Sequence, residues 1–264
     1  MVGDKKYMSM IVQPIFVSVV YLFLYLPIIV MVLFSFNKSA NPMKWGGFSL
    51  QWYTQMWNIP EMVAALKTSL IVAAASTLLS LIIGVCFVVA HKWWKSEVLF
   101  SFFYVNILLP DIVLAIGVLS IFTFSHIPLG YGSLIVGHTL IGLGFVIPII
   151  RARFVELDPY LTEASLDLGA TYFQTFRRVL IPLLMPSLVA AGLLAFTLSL
   201  DDFLIAFFCA GPKVQTLSVY VYSMVKAGVD PTINAISAVL LGVSGILILV
   251  LLSLNVIDQV LSQE

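Results

Sequence analysis

The sequence has little charge. Of its 264 residues only 10% are Asp, Glu, Lys or Arg, whereas 61% are hydrophobic and the mean hydropathy is +1.08. A soluble domain carries about a quarter charged residues, so a water-soluble globular domain is excluded. Formal net charge is zero and no basic block is present to bind nucleic acid. Cysteine is scarce. Cys86 and Cys209 fall in separate apolar runs, expected near opposite membrane faces, which argues against a disulfide between them. They read as inert apolar thiols. No Gly-x-x-x-x-Gly-Lys-Ser/Thr loop occurs, so the chain is not expected to bind ATP itself. No Gly-x-Ser-x-Gly or His-Glu-x-x-His motif is present, which counts against a hydrolase. No His, Cys and carboxylate cluster has metal-ligand spacing. With no repeat, low-complexity tract or separate soluble domain, residues 1–264 read as a single transmembrane domain.

What remains is long apolar runs. A spanning helix needs about 20 mostly apolar residues, and six runs qualify, at roughly 11–34, 68–90, 98–124, 133–150, 183–209 and 233–256. The first is too long for a signal peptide and has no small-residue cleavage site after it, so it reads as an uncleaved span. Nothing alternates with period two, and open sheets do not cross lipid, so the spans are helical. The expected class is an all-α integral membrane protein with six transmembrane helices. Orientation follows from Lys and Arg near the helix ends. With the N-terminus inside, Lys5, Lys6, Lys92, Lys95, Arg151, Arg153, Arg177 and Arg178 lie inside, against Lys38, Lys44, Lys67, Lys213 and Lys226 outside. Both termini are then cytoplasmic. Trp93 and Trp94 are expected at the inner boundary, and Trp45, Trp52 and Trp57 at the outer membrane interface or against a soluble partner.

The longest cytoplasmic piece, about 151–181, carries helix punctuation. Asp158 can cap an N-terminus, Pro159 suits a first helical position, and Gly169 suits a left-handed ending. A second helical piece is expected from about Ala170 to Leu180. Leu161, Ala164, Leu168 and Tyr172 form an apolar stripe. It must be buried either on the chain's own helix ends or in a groove of another protein.

The spacing Glu163-Ala164-Ser165, Gly169, then Val179-Leu180-Ile181-Pro182 resembles the Glu-Ala-Ala … Gly … Ile-x-Leu-Pro signature of permease subunits of bacterial ABC importers. Ser165, Val179 and Ile181 are small departures from it. Further stretches extend the likeness over nearly the whole chain: Leu109-Pro110-Asp111-Ile112-Val113, Asp167-Leu-Gly-Ala170, Phe196-Thr-Leu-Ser-Leu-Asp-Asp202, and Tyr222-Ser-Met-Val-Lys-Ala-Gly228 with Pro231 and Asn234-Ala235. Together they resemble the spermidine/putrescine permeases, the second, C-type subunit most. The resemblance implies a type I ABC importer permease fold in a bacterial inner membrane. It implies ATPase coupling through Glu163, Ala164, Ser165, Gly169, Ala170 and Pro182. It also implies three partners: a homologous second permease, an ATPase dimer and a periplasmic polyamine-binding protein. ATP and magnesium would be held by the partner ATPase, with no cofactor in this chain. A same-family permease for another solute, such as ferric ion or thiamine, is one alternative; a stand-alone ion-coupled carrier or membrane enzyme is the other.

The cargo path is sought among intramembrane carboxylates, which are costly in lipid and normally face a cavity or partner. Counted along unbroken helices, Asp111 lies about 20 Å into the third span and Asp201 about 27 Å into the fifth. Pro110 loosens the helix beside Asp111. Asp201 and Asp202 would diverge by about 100° on a regular helix, Asp202 toward Ala195 and Ser199, Asp201 toward Thr197 and Leu198. Asp111, Asp201 and Asp202, with Tyr220 and Tyr222 in the following loop, suit spaced ammonium groups and methylene spacers; the same chemistry also suits metal cations or cationic amino acids, so the polyamine is what the resemblance implies. The alternative for the pair is structural: capping the outer end of span five and anchoring the loop. His138 reads as a proton relay or as a histidine hydrogen-bonded to a neighbouring helix. Ala191, Ala195 and Ser199 form a small-residue face for close helix contact.

Overall fold

A computed structural model of the chain describes residues 2–41, 44–94, 97–228 and 230–253. The side chains of Lys5, Lys6, Lys92, Trp93, Trp94 and Lys95, and the end of the sixth expected span beyond residue 253, lie outside the described part. Helices α1 (Val2–Ser35), α2 (Gln51–Met56), α3 (Pro60–Trp94), α4 (Glu97–Leu108), α5 (Asp111–Phe124) and α6 (Tyr131–Glu156) make the first half. Then come α7 (Leu161–Asp167), α8 (Tyr172–Thr175), a π-helical stretch (Phe176–Leu180), α9 (Ile181–Asp201), α10 (Leu204–Cys209), α11 (Leu217–Ala227) and α12 (Thr232–Ser253). Among the described residues the only β pairing is an isolated bridge, Asn37 with Phe48.

Among the described residues, five helical stretches are long and apolar enough to cross a membrane: Phe16–Ser35, Pro60–His91, Tyr131–Glu156, Tyr172–Asp201 and Thr232–Val250. The expected third span is not one rod. Val98–Leu108 and Asp111–Phe124 meet at 113°. Pro110 has no N–H to continue the ladder, and it holds extended angles, φ −59° and ψ 133°; a residue before proline is also pushed out of the α region. The expected fifth span breaks too, because α9 stops at Asp201 and the chain restarts as α10. The depth counted along a straight rod therefore does not hold for Asp111, which follows the bend, while α9 is continuous as far as Asp201.

The chain forms two compact units, Met1–Pro60 with Ser223–Gly242, and Glu61–Tyr222 with Val243–Glu264. In the first, the loop after α1 is knotted around Asn37. Its Oδ1 accepts from Ser39 N (3.1 Å) and Gly46 N (2.7 Å), and its Nδ2 donates to Lys44 O (2.8 Å). Trp52 is buried there and donates Nε1–H to Asn37 O at 2.6 Å. That corrects the expectation that Trp52 lies at a membrane interface; Trp45 and Trp57 are exposed. Asp230 caps α12 by accepting from Thr232 N and Oγ1.

In the second unit α6 is the central helix, packed by α4, α5, α9 and α10. One apolar cluster joins Val88, Phe100, Val146, Ile147, Ile150 and Leu184; another joins Val72, Ala115, Leu134, Ile205 and Cys209. Between membrane helices such contact rests on close packing and hydrogen bonds, because lipid tails are as apolar as leucine. The small-residue face supplies that closeness: Ala191, Ala195 and Ser199 are all buried. Gly142 of α6 completes it, since a Cβ there would overlap Ser80 Oγ and stand 3.7 Å from the Ala195 Cβ.

Candidate functional site

The site is built where α9 breaks. Asp202 N–H still donates to Leu198 O (3.0 Å), but the residue itself is extended, with φ −63° and ψ 129°. Three bonds hold the break. Asp202 Oδ2 accepts from Ala206 N at 3.0 Å and so closes the first turn of α10. Ser218 Oγ donates to Asp202 O at 2.6 Å, and Leu217 N–H donates to Ser69 Oγ of α3 at 2.8 Å. Asp and Ser side chains compete in this way with the helical ladder for backbone partners. The structural role weighed for the pair is therefore present in Asp202.

The two neighbouring carboxylates part company. Asp201 is exposed and hydrogen-bonds Ser244 of α12. Asp202 turns toward α6, where its Oδ2 lies 3.8 Å from His138 Nε2, the two side chains being 9% and 1% exposed. His138 Nδ1 is 2.8 Å from Ser199 Oγ, and Ser199 Oγ is 3.3 Å from Ser76 Oγ on α3. His138 is thus a histidine bonded to a neighbouring helix. Asp111, the exposed first residue of α5, is the carboxylate whose charge acts on Asp202. Asp111 follows the bend at Pro110 and Asp202 stands at the break after α9.

Tyr220 and Tyr222 stand on α11, not in a loop. Tyr222 joins an aromatic group that sequence reasoning missed: its ring centroid is 4.8 Å from that of Phe203 and 6.0 Å from that of Phe207. Phe203 and Phe207 are themselves 5.4 Å apart. Their four-residue spacing directly after the two acids was the available signal. Tyr220 is half-buried on the same helix.

At the segment 151–181, α7 ends as Gly169 demands. Gly169 N bonds Leu166 O, Ala170 N bonds Ser165 O, and Gly169 has φ +87°. This is the Schellman pattern, with glycine in the left-handed position. Thr171 then opens α8 with a capping box: its N–H donates to Gln174 Oε1 (2.9 Å) and its Oγ1 accepts from Gln174 N (3.3 Å). Asp158 Oδ1 accepts from Tyr160 N, ahead of α7. Ser165, where the family signature has alanine, is tied to buried Thr175 at 2.9 Å between hydroxyls. The second helical piece does not stop at Leu180. It runs on into α9 through the π-helical stretch, in which Ile181 N–H reaches back to Phe176 O. That widened turn precedes Pro182, whose ring nitrogen has no proton to give.

Of the apolar stripe only Leu161 is half-buried in the chain itself. Leu168 is 90% exposed, and Ala164, Tyr172 and Phe173 are exposed with it. Glu163 is exposed too, while Ser165 and Ala170 are half-buried. Behind this segment Arg151 places its guanidinium 3.9 Å over the Phe100 ring, locking the base of α6 to α4.

An exposed helical elbow, α7 and α8, thus joins two long apolar helices, α6 and α9. The chain belongs to the family of binding-protein-dependent transport system inner membrane components, whose family model matches residues 76–263. It is 35% identical over 237 residues to the spermidine/putrescine transport system permease protein PotC of Escherichia coli (strain K12), spanning 89% of this chain and 90% of that protein. It is 34% identical to the protein of the same name from Haemophilus influenzae, over 94% of this chain and 95% of that one. The putrescine transport system permease protein PotI of Escherichia coli (strain K12) is 34% identical, over 85% and 83%. In fold the chain is similar to a subunit of a bacterial ABC transporter involved in the import of alginate (TM-score 0.70, 15% identity, 95% of this chain and 97% of that one). It is also similar to the inward-facing MetNI methionine ABC transporter (TM-score 0.60, 20% identity, 75% and 94%). The fold is that of a type I ABC importer permease.

Proposed function

We propose that this chain is the permease half-pore that admits polyamines, spermidine or putrescine, in an ATP-driven importer of the inner membrane. It would pair with a homologous second permease, receive cargo from a periplasmic polyamine-binding protein and stand on an ATPase dimer. Asp111 and Asp202 offer spaced acceptors for ammonium groups, and Tyr222, Phe203 and Phe207 offer faces for cation–π contact with them. Asp201 and Tyr220 border that path. The exposed elbow around Glu163, Ala164, Leu168 and Gly169 enters a groove of the ATPase, which holds ATP and magnesium. Through Ser165 and Ala170 the closing motion passes to Pro182 and α9, which α10 continues past the break. Rocking of these helices alternates access to the acids, and the chain itself catalyses no covalent step.

One observation carries this reading: near-full-length similarity to polyamine permeases. The test is uptake by the complete complex, reconstituted in vesicles with its binding protein. Labelled spermidine or putrescine should enter only with ATP, and unlabelled thiamine or ferric ion should not compete. Competition by thiamine or iron, with no polyamine entry, would assign the chain to another cargo of the same family.

A further inference from the structure

His138 Nε2 is buried and has no hydrogen-bond partner among the described residues, yet the Asp202 carboxylate stands 3.8 Å away. A buried imidazole nitrogen left without a partner is costly. The nearest anion can relieve it, since 3.8 Å is just beyond hydrogen-bond range. Its other nitrogen is fixed at 2.8 Å from Ser199 Oγ. With the Ser199 hydroxyl donating to Nδ1, the ring proton sits on Nε2 and points the donor at Asp202. The ring is immobile, packed between α6, α9 and α3 through Ser199 and Ser76. Asp202 can approach by rotation of its side chain, its backbone being held by Leu198 O and Ser218 Oγ.

We propose that His138 is a positioning residue for Asp202: its Nε2–H takes Oδ2 when the path is empty and yields it to an arriving ammonium group. The ring is thus an internal competitor with the cargo. A transport site must bind firmly enough to receive the cation and weakly enough to release it. A fixed neutral donor beside the carboxylate lowers its net affinity for a cation without repelling it. This inference rests on Asp202 being a cargo carboxylate.

The test measures retention of labelled spermidine by the detergent-purified complex without binding protein, beside the maximal rate of ATP-driven uptake. In His138→Ala the competitor is gone, so retention should tighten about fivefold and maximal uptake should fall by about the same factor. His138→Gln keeps an amide donor for Asp202 and an oxygen for Ser199, and should recover both readouts to within about twofold. In an Asp202→Asn background, His138→Ala should change neither, because coupled residues do not add. A merely structural ring would lower uptake in both backgrounds with retention unchanged or weaker, and that result overturns the proposal, as does spermidine retention at background level in His138→Ala. If Asp202→Asn alone leaves uptake and retention untouched, the cargo role of Asp202 fails first. If it lowers them and His138→Ala does not behave as stated, only the competitor is lost.

Discussion

A charged side chain at the middle of a bilayer costs about 2.5–3.5 kcal/mol on insertion scales, and the two adjacent acids meet that demand differently. Asp201 leans on Ser244 of α12. Asp202 accepts from the α10 backbone, faces His138 and feels the charge of Asp111. Asn at position 201 keeps a hydrogen bond to Ser244, so Asp201→Asn should lower polyamine uptake least. Asp202→Asn and Asp111→Asn remove the negative charge proposed to receive the cation, and each should lower uptake about tenfold, the equivalent of ~1.4 kcal/mol. Co-purification of the ATPase should persist in all three. Full uptake in the Asp202 and Asp111 variants would leave the acids with a capping role alone. The carboxylates were legible from sequence because charge inside an apolar run is rare. Their separate surroundings were not, since Leu-Asp-Asp-Phe contains neither Gly nor Pro to announce a break. Ser218 of α11 braces that break, and Ser69 of α3 in turn holds the first residue of α11.

Among the elements, the short coupling region was the most readable. Its stops are local: glycine in the left-handed region, threonine with glutamine in a capping box. Gly169 has open space around the position a Cβ would take, so the cost of replacing it is torsional. Left-handed backbone costs an ordinary residue roughly 1–2 kcal/mol, and Asn bears it better than a branched residue. Gly169→Val should therefore cut ATPase co-purification about tenfold, with Gly169→Asn intermediate. Equal recovery in both would detach the left-handed turn from docking. The long elements were harder. Pro110 was seen to loosen a helix, but a bend of 113° depends on how α5 packs on α6 and α10. The second helical piece was expected to end at Leu180, yet it runs into α9, with Pro182 taken up in the first turn after the widened one. Local sequence names the weak point; tertiary packing decides whether it bends, breaks or is absorbed.

At the scale of the whole molecule, hydropathy and the family signature suffice for class and fold, while orientation rests on an excess of Lys and Arg on one side. The proposed contact with a nucleotide-driven partner requires the elbow to lie in the cytoplasm. Leu168 is the natural reporter, being 90% exposed at the end of α7. With Cys86 and Cys209 replaced, Leu168→Cys should react with a membrane-impermeant maleimide in inside-out vesicles and stay unlabelled in intact spheroplasts. Assembly with the ATPase should then shield it, lowering the labelling rate about tenfold, as burial at the centre of an interface excludes water and solutes. Labelling from the outside would reverse the topology and remove the route from ATP to the helices. Labelling from the inside that is indifferent to the ATPase would keep the topology but move the docking contact off the stripe.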